Sequence, residues 1–149
     1  MLIIKFAAVF AMGIAVGVLY RIPRSLLLYV SAIGLVGWTV MFTVASSGIS
    51  TIMANFLGSM AVGLLAELLA RFLKKPATIF IVPGFIPLVP GREAYTTMRY
   101  MVESHFNDGV AMGMQTALTG GAIAFGIFVS STLYRLTRTN ADYQVGSRG

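Results

Sequence analysis

The chain has 149 residues, of which 57% are hydrophobic and 11% charged, with a formal net charge of +6. An ordinary soluble domain carries roughly 25% charged residues. The few charges here are also clumped, which excludes a cytosolic globular enzyme and a disordered tail. No charged side chain occurs from Ser25 to Ala66, from Pro76 to Gly91, or from Gly109 to Tyr134. Apolar runs above about 18 residues read as membrane spans.

In chain order, the first apolar segment covers residues 2–20. Lys5 followed by Phe6–Leu19 has the layout of a signal peptide, but Val18-Leu19-Tyr20-Arg21-Ile22-Pro23 offers no small-x-small cleavage site. It reads as a retained span. The second segment covers 26–45 and ends at the Ser46–Ser50 break; the third covers 51–73. The fourth, 77–90, is short and lies between Pro76 and Pro90-Gly91. A polar stretch over 92–108 precedes the fifth segment, 110–134. The runs show no alternation of period two, so a barrel is excluded. Helices satisfy backbone polar groups within each segment, as lipid demands. The expectation is one all-α integral membrane domain with five transmembrane segments.

Segment four departs from the rest. As a helix, Pro76–Gly91 would reach only about 24 Å, against a hydrocarbon core of about 30 Å. Pro83, Pro87 and Pro90 each lack a donor, and Gly84 and Gly91 loosen the chain. An extended portion would make up the missing length. Charge counting then compares two topologies. If the segment spans, eight basic residues (Arg21, Arg24, Arg71, Lys74, Lys75, Arg135, Arg138, Arg148) share one side and three (Lys5, Arg92, Arg99) the other. If it is re-entrant, the division is seven to four. The positive-inside rule favours five spans, with the N-terminus outside and the C-terminus cytoplasmic.

The basic loops explain the positive charge, so nucleic-acid binding is set aside. Cysteine is absent, and no Walker A loop, GxGxxG or HExxH motif occurs. The only histidine, His105, lies in the polar stretch. No nucleophile and base share a depth, so the chain is read as a non-enzyme without metal or cofactor.

Candidate functional residues follow from cost. Three prolines in Pro83–Pro90 leave carbonyls without helical partners, and such backbone at membrane depth is either buried in protein or lines a wet cavity. Pro83, Gly84, Pro87, Pro90 and Gly91 are therefore candidates for lining a path; a plain kink is the other reading. Glu67 is the only acid inside an apolar run and is expensive there. Its other reading is an interfacial ion pair with Arg71 at i+4. Asn55, neutral and polar, either bonds across helices or touches cargo. Small residues recur at i+4 (Gly13/Gly17, Ala54/Gly58, Ser59/Gly63, and Gly109, Gly113, Ala117, Gly121). They imply close helix partners within the chain or between copies of it. Residues 92–108 suit an amphipathic interfacial helix, with Tyr95, Met98 and Val102 on one face and Arg99–Glu103 at i, i+4.

Phe85-Ile86-Pro87-Leu88-Val89-Pro90-Gly91, followed by Ala94-Tyr95 and Met98, resembles the threonine/serine exporter family (ThrE type), and within it the YjjB-like small-subunit branch. The Ile22-Pro23 turn, the glycines at 34 and 37 and the Ser-Gly break fit the same pattern. The resemblance spans about Tyr20–Tyr134. It implies export of small polar metabolites, amino acids or dicarboxylates such as succinate, across the bacterial plasma membrane, driven by the proton motive force. It further implies a larger ThrE-type membrane subunit as partner, and points to Pro87, Pro90, Gly91 and Tyr95. Two other readings stay open: a structural or assembly subunit that touches no cargo, and a holin-like channel.

Overall fold

A computed structural model describes the backbone of residues 2–146 and the side chains of residues 3–136. Arg148 and the side chain of Arg138, which enter the charge count, lie outside the described residues. Among the described residues every regular element is helical. The order is α1 (Leu2–Leu19), α2 (Arg24–Ser46), α3 (Thr51–Phe72), α4 (Thr78–Phe85) with a 3₁₀ turn (Ile86–Leu88), α5 (Gly91–Val102) and α6 (Phe106–Gly146). The all-α membrane class expected from composition is what the chain adopts. Among the described residues three helices are long and apolar enough to cross a membrane: α2, α3 and the Phe106–Leu136 part of α6. Ile3–Leu19 and Thr78–Leu88 are shorter apolar helices.

Three helices end in one device. Arg21, Lys74 and Ser104 take positive φ (54°, 51° and 64°) just past α1, α3 and α5. In each case the next N–H reaches back five residues: Ile22 to the Gly17 carbonyl, Lys75 to Ala70, His105 to Tyr100, all at 2.9–3.0 Å. This Schellman closure satisfies carbonyls that the helix end leaves open. A cation at two of the three caps also suits the negative end of the helix dipole. α3 starts where Ser50, extended at φ −56° and ψ 143°, accepts the Met53 N–H on its side chain, as an N-cap does.

Small residues set the packing. A Cβ on Gly13 would stand 2.8 Å from the Ser31 Cα, so α1 and α2 touch backbone to backbone. A Cβ on Gly58 would stand 2.9 Å from the Gly37 carbonyl, so α2 and α3 also pack closely there. A Cβ on Gly126 would stand 2.6 Å from the Phe56 carbonyl and against the Ser59 hydroxyl, and one on Gly63 would meet Ser130, so α3 and α6 approach closely. Van der Waals contact of this kind holds helices together where lipid removes the hydrophobic drive between them. Gly109 and Gly113 seat Met101 and Thr97 of α5, whereas Gly120 and Gly121 meet nothing within 4 Å among the described residues. At one end Phe6 packs edge-on to Trp38 at 5.4 Å, and Trp38 stacks on Phe42.

The register of these contacts gives direction. Gly13 meets Ser31 and Gly17 meets Leu27, so α1 and α2 run antiparallel; so do α2 and α3. Along α3 and α6 the numbers rise together: Phe56 stacks with Phe125, Gly63 meets Ser130, and Arg71 bonds Tyr134. Those two helices are parallel. The chain between them must therefore travel back along the bundle. The α4 segment does so: Ala77 lies beside Ala70 and Arg71, and Leu88 beside Asn55 and Thr51. Phe80 and Pro83 are fully buried on this route, against the core of Val30, Ile33, Val62 and Ala66.

One local expectation changes. The fourth segment was expected to gain length from extended backbone. Instead helix continues through Pro83 to Leu88, and only Val89 is extended (φ −60°, ψ 128°). Residues 78–88 rise about 18 Å, and α5 continues the path. α5 keeps Tyr95, Met98 and Val102 on one outward face, 72%, 66% and 82% exposed, while Thr97 and Met101 contact α6. The expected Arg99–Glu103 pair is present at 2.8 Å. The Glu103 hydrogen bond and charge raise the Arg99 pKa above its ordinary value.

Candidate functional site

The break after α4 is built by proline. Pro83 and Pro87 bring no N–H to the carbonyls four residues earlier, so the helix weakens and tightens into a 3₁₀ turn. Pro90 (φ −75°, ψ 57°) then centres an inverse γ-turn in which the Gly91 N–H bonds the Val89 carbonyl at 2.8 Å. α5 starts immediately, and Glu93 falls in its first turn, where the helix dipole favours an acid.

This break walls a cavity of about 170 Å³. α2 contributes Met41, α3 Thr51 and Asn55, the break Pro87–Pro90, α5 Glu93, and α6 Gln115 and Thr119. Asn55 Nδ2 donates to the Thr51 carbonyl at 2.9 Å. A carbonyl needs a donor, so this bond fixes which end of the amide is nitrogen. Asn55 is 4% exposed, and its Oδ1 has no hydrogen-bond partner among the described residues. A buried acceptor left open costs about 1–3 kcal/mol and calls for a reason. Thr119, 3% exposed, donates its hydroxyl to the Gln115 carbonyl at 2.9 Å, which leaves its oxygen as an acceptor. One lining side chain, Glu93, is charged, and no lining side chain is cationic.

The sequence candidates divide. Asn55, Pro87 and Pro90 come together at the cavity. Pro83 and Gly84 are buried between α2 and α3, where a Gly84 Cβ would meet Val62 and Ile33 at 2.9 and 3.0 Å. A Cβ on Gly91 would meet nothing within 4 Å among the described residues, and Tyr95 is exposed. Glu67 lies at the other end of the bundle. It lines a recess of about 290 Å³ with Ala70, Arg71, Lys75, Ala77 and Tyr134. There Arg71 Nη1 reaches the Tyr134 hydroxyl at 3.4 Å. The residues that sequence reasoning missed are Thr51, Glu93, Gln115 and Thr119. Their signal was the pairing of neutral polar residues at i, i+4 in otherwise apolar helices, Thr51/Asn55 and Gln115/Thr119.

Fold and cavity together define an all-α membrane protein with a proline-broken helix beside a small chamber of mixed lining, half polar and half apolar residues. The chain belongs to the threonine/serine exporter family, ThrE, whose sequence profile matches residues 5–133. It is also similar to an uncharacterized protein of Haemophilus influenzae, 28% identical over 138 residues that cover 87% of this chain and 46% of that protein. The chain thus spans about half the length of that curated relative. No solved structure matches it.

Proposed function

We propose that this protein is the small subunit of a secondary exporter of small polar metabolites, working with a larger ThrE-type subunit in the bacterial plasma membrane. The observation that carries the reading is the cavity at the α4 break, where five polar side chains meet in an otherwise apolar bundle, found in a member of an exporter family. Broken helices of transporters bring free backbone and polar side chains to cargo in this manner. That the Haemophilus influenzae relative holds about as much chain again beyond the matched region supports a second module as working partner. The role is transport without covalent chemistry: Asn55, Pro87 and Pro90 wall the cargo path together with Glu93, Gln115 and Thr119.

The parallel course of α3 and α6 supports five crossings, α4 and the break forming the fourth. Arg21, Arg24, Arg71, Lys74, Lys75 and Arg135 gather at one end of the bundle, and Lys5, Arg92 and Arg99 at the other. By the positive-inside rule the first end is cytoplasmic, so the N-terminus lies outside and the C-terminus inside.

The test is efflux from cells lacking their own exporters, loaded with labelled threonine, serine or succinate. The chain is expressed alone and with a ThrE-type large subunit. Export only with both present is the expected result. With both chains in the membrane and no export by either arrangement, the structural-subunit reading replaces this one. Leak from the chain alone would point to a channel.

A further inference from the structure

We propose that the recess between the end of α3, the start of α4 and α6 is a headgroup site for an anionic phospholipid: Arg71 and Lys75 hold the singly charged phosphodiester of a lipid such as phosphatidylglycerol. The site lies at the opposite end of the bundle from the cavity at the α4 break, and it stands whether or not that cavity carries cargo.

Charge, access and depth carry the inference. Glu67, Arg71 and Lys75 recur at intervals of four and line the recess with Ala70, Ala77 and Tyr134. Arg71 and Lys75 are exposed, and Glu67 and Tyr134 are partly so, which leaves these groups within reach of a ligand from outside the bundle. Arg71 Nη1 turns to the Tyr134 hydroxyl at 3.4 Å rather than to the carboxylate one turn before it, so the guanidinium bridges α3 and α6. Two cations against one carboxylate leave a formal charge of +1 (2 − 1), which the single negative charge of one phosphodiester neutralises. Ala77, the N-cap position of α4, is part of the lining, so that helix adds the positive end of its dipole.

The depth suits a headgroup. α3 ends at Phe72, and Tyr134 is followed at once by Arg135, so the recess lies where apolar helix gives way to charge. Tyrosine and basic side chains collect at that level of a bilayer, and basic pockets between helices there recognise lipid headgroups. Leu68 and Phe72 of α3 and Leu133 and Leu136 of α6 are exposed on the same turns, an apolar border that acyl chains cover. A soluble anion would gain the charges alone, whereas a lipid gains both. Size agrees: about 290 Å³ far exceeds the roughly 10–15 Å³ that one water needs and approaches the roughly 300 Å³ at which small-molecule sites begin.

The test is native mass spectrometry of the whole chain in a neutral detergent, titrated separately with phosphatidylglycerol and with phosphatidylcholine of the same acyl chains. A basic residue near an anionic headgroup contributes about fivefold in affinity. The first phosphatidylglycerol should bind more tightly than phosphatidylcholine by at least about that factor. Lys75→Gln and Arg71→Gln should each remove about fivefold of the preference, and Arg71→Lys should keep most of it. Arg24→Gln removes a cation at the same end of the bundle but outside the recess, and should change nothing. Size-exclusion profiles show which variants remain folded; Lys75 lies past the end of α3 with its side chain exposed, so its variant carries the test if Arg71→Gln does not fold. Equal affinity for the two lipids would overturn the proposal. An Arg24→Gln loss as large as that of Lys75→Gln would also overturn it, since diffuse charge and not the recess would then hold the lipid. Glycerophosphoglycerol, the same headgroup without acyl chains, should bind far more weakly; binding as tight as the lipid's would reassign the recess to a soluble phosphodiester.

Discussion

The dipeptide Pro-Gly occurs twice in the broken segment, at 83–84 and at 90–91, and the two copies do different work. Pro83 is fully buried inside α4, and Gly84 lets that helix lie against Val62 and Ile33. Pro90 centres a γ-turn at the rim of the cavity, and a Cβ on Gly91 would meet nothing within 4 Å among the described residues. One pair permits close packing; the other stops one helix and starts the next. A motif that looks uniform in sequence is thus half core and half cavity wall, and the neighbours on α2, α3 and α6 decide which.

Substitution can break this comparison. The largest effect is expected from Gly84→Leu, because overfilling a packed core costs about 1–3 kcal/mol and sometimes more. Fluorescence-detected size exclusion should show loss of the monodisperse species. Gly91→Leu, with no neighbour to displace, should remain within about 0.5 kcal/mol of the parent. Equal losses at both positions would refute the division. Asn55→Leu sharpens it from the cavity side. Removing an open buried acceptor should leave thermal stability unchanged or raise it by about 1–3 kcal/mol, while export in the two-subunit assay of the proposed function fails. A large drop in melting temperature would show instead that Asn55 is structural.

Smaller effects test the framework around the site. Lys74 caps α3 in the left-handed region, which costs a non-glycine residue about 1–2 kcal/mol. Lys74→Gly should recover about 0.5–1 kcal/mol after the added freedom of the unfolded chain is deducted. The smallest effect belongs to Glu103→Gln on exposed α5. It removes the group that raises the Arg99 pKa, yet an unpartnered arginine stays protonated at any physiological pH. Melting temperature should not move measurably.

Glu67 shows how a cost argument singles out a residue without locating it. An acid in an apolar run is expensive wherever it falls, but depth decides the expense, and Glu67 lines a recess at the basic end of the bundle beside Arg71 and Lys75. Gln115 and Thr119 show the converse. Neutral side chains in an apolar helix are cheap enough to escape notice, and only their meeting with Asn55 and Glu93 makes them part of a site.

Composition and the spacing of charges were sufficient for the all-α membrane class and the approximate helix limits, and the Phe85–Gly91 block for the break at the three prolines and the resemblance to the family, since each depends on local hydrophobicity or on residues adjacent in the chain. The parallel course of α3 and α6, the burial of Pro83-Gly84 and the assembly of the cavity depend on contacts between residues tens of positions apart. A repeat of small residues tells that helices approach closely, but not which helices or in which direction. Register between helices is set by how glycines on one meet backbone and side chains on another, and that fit exists only once the bundle is packed.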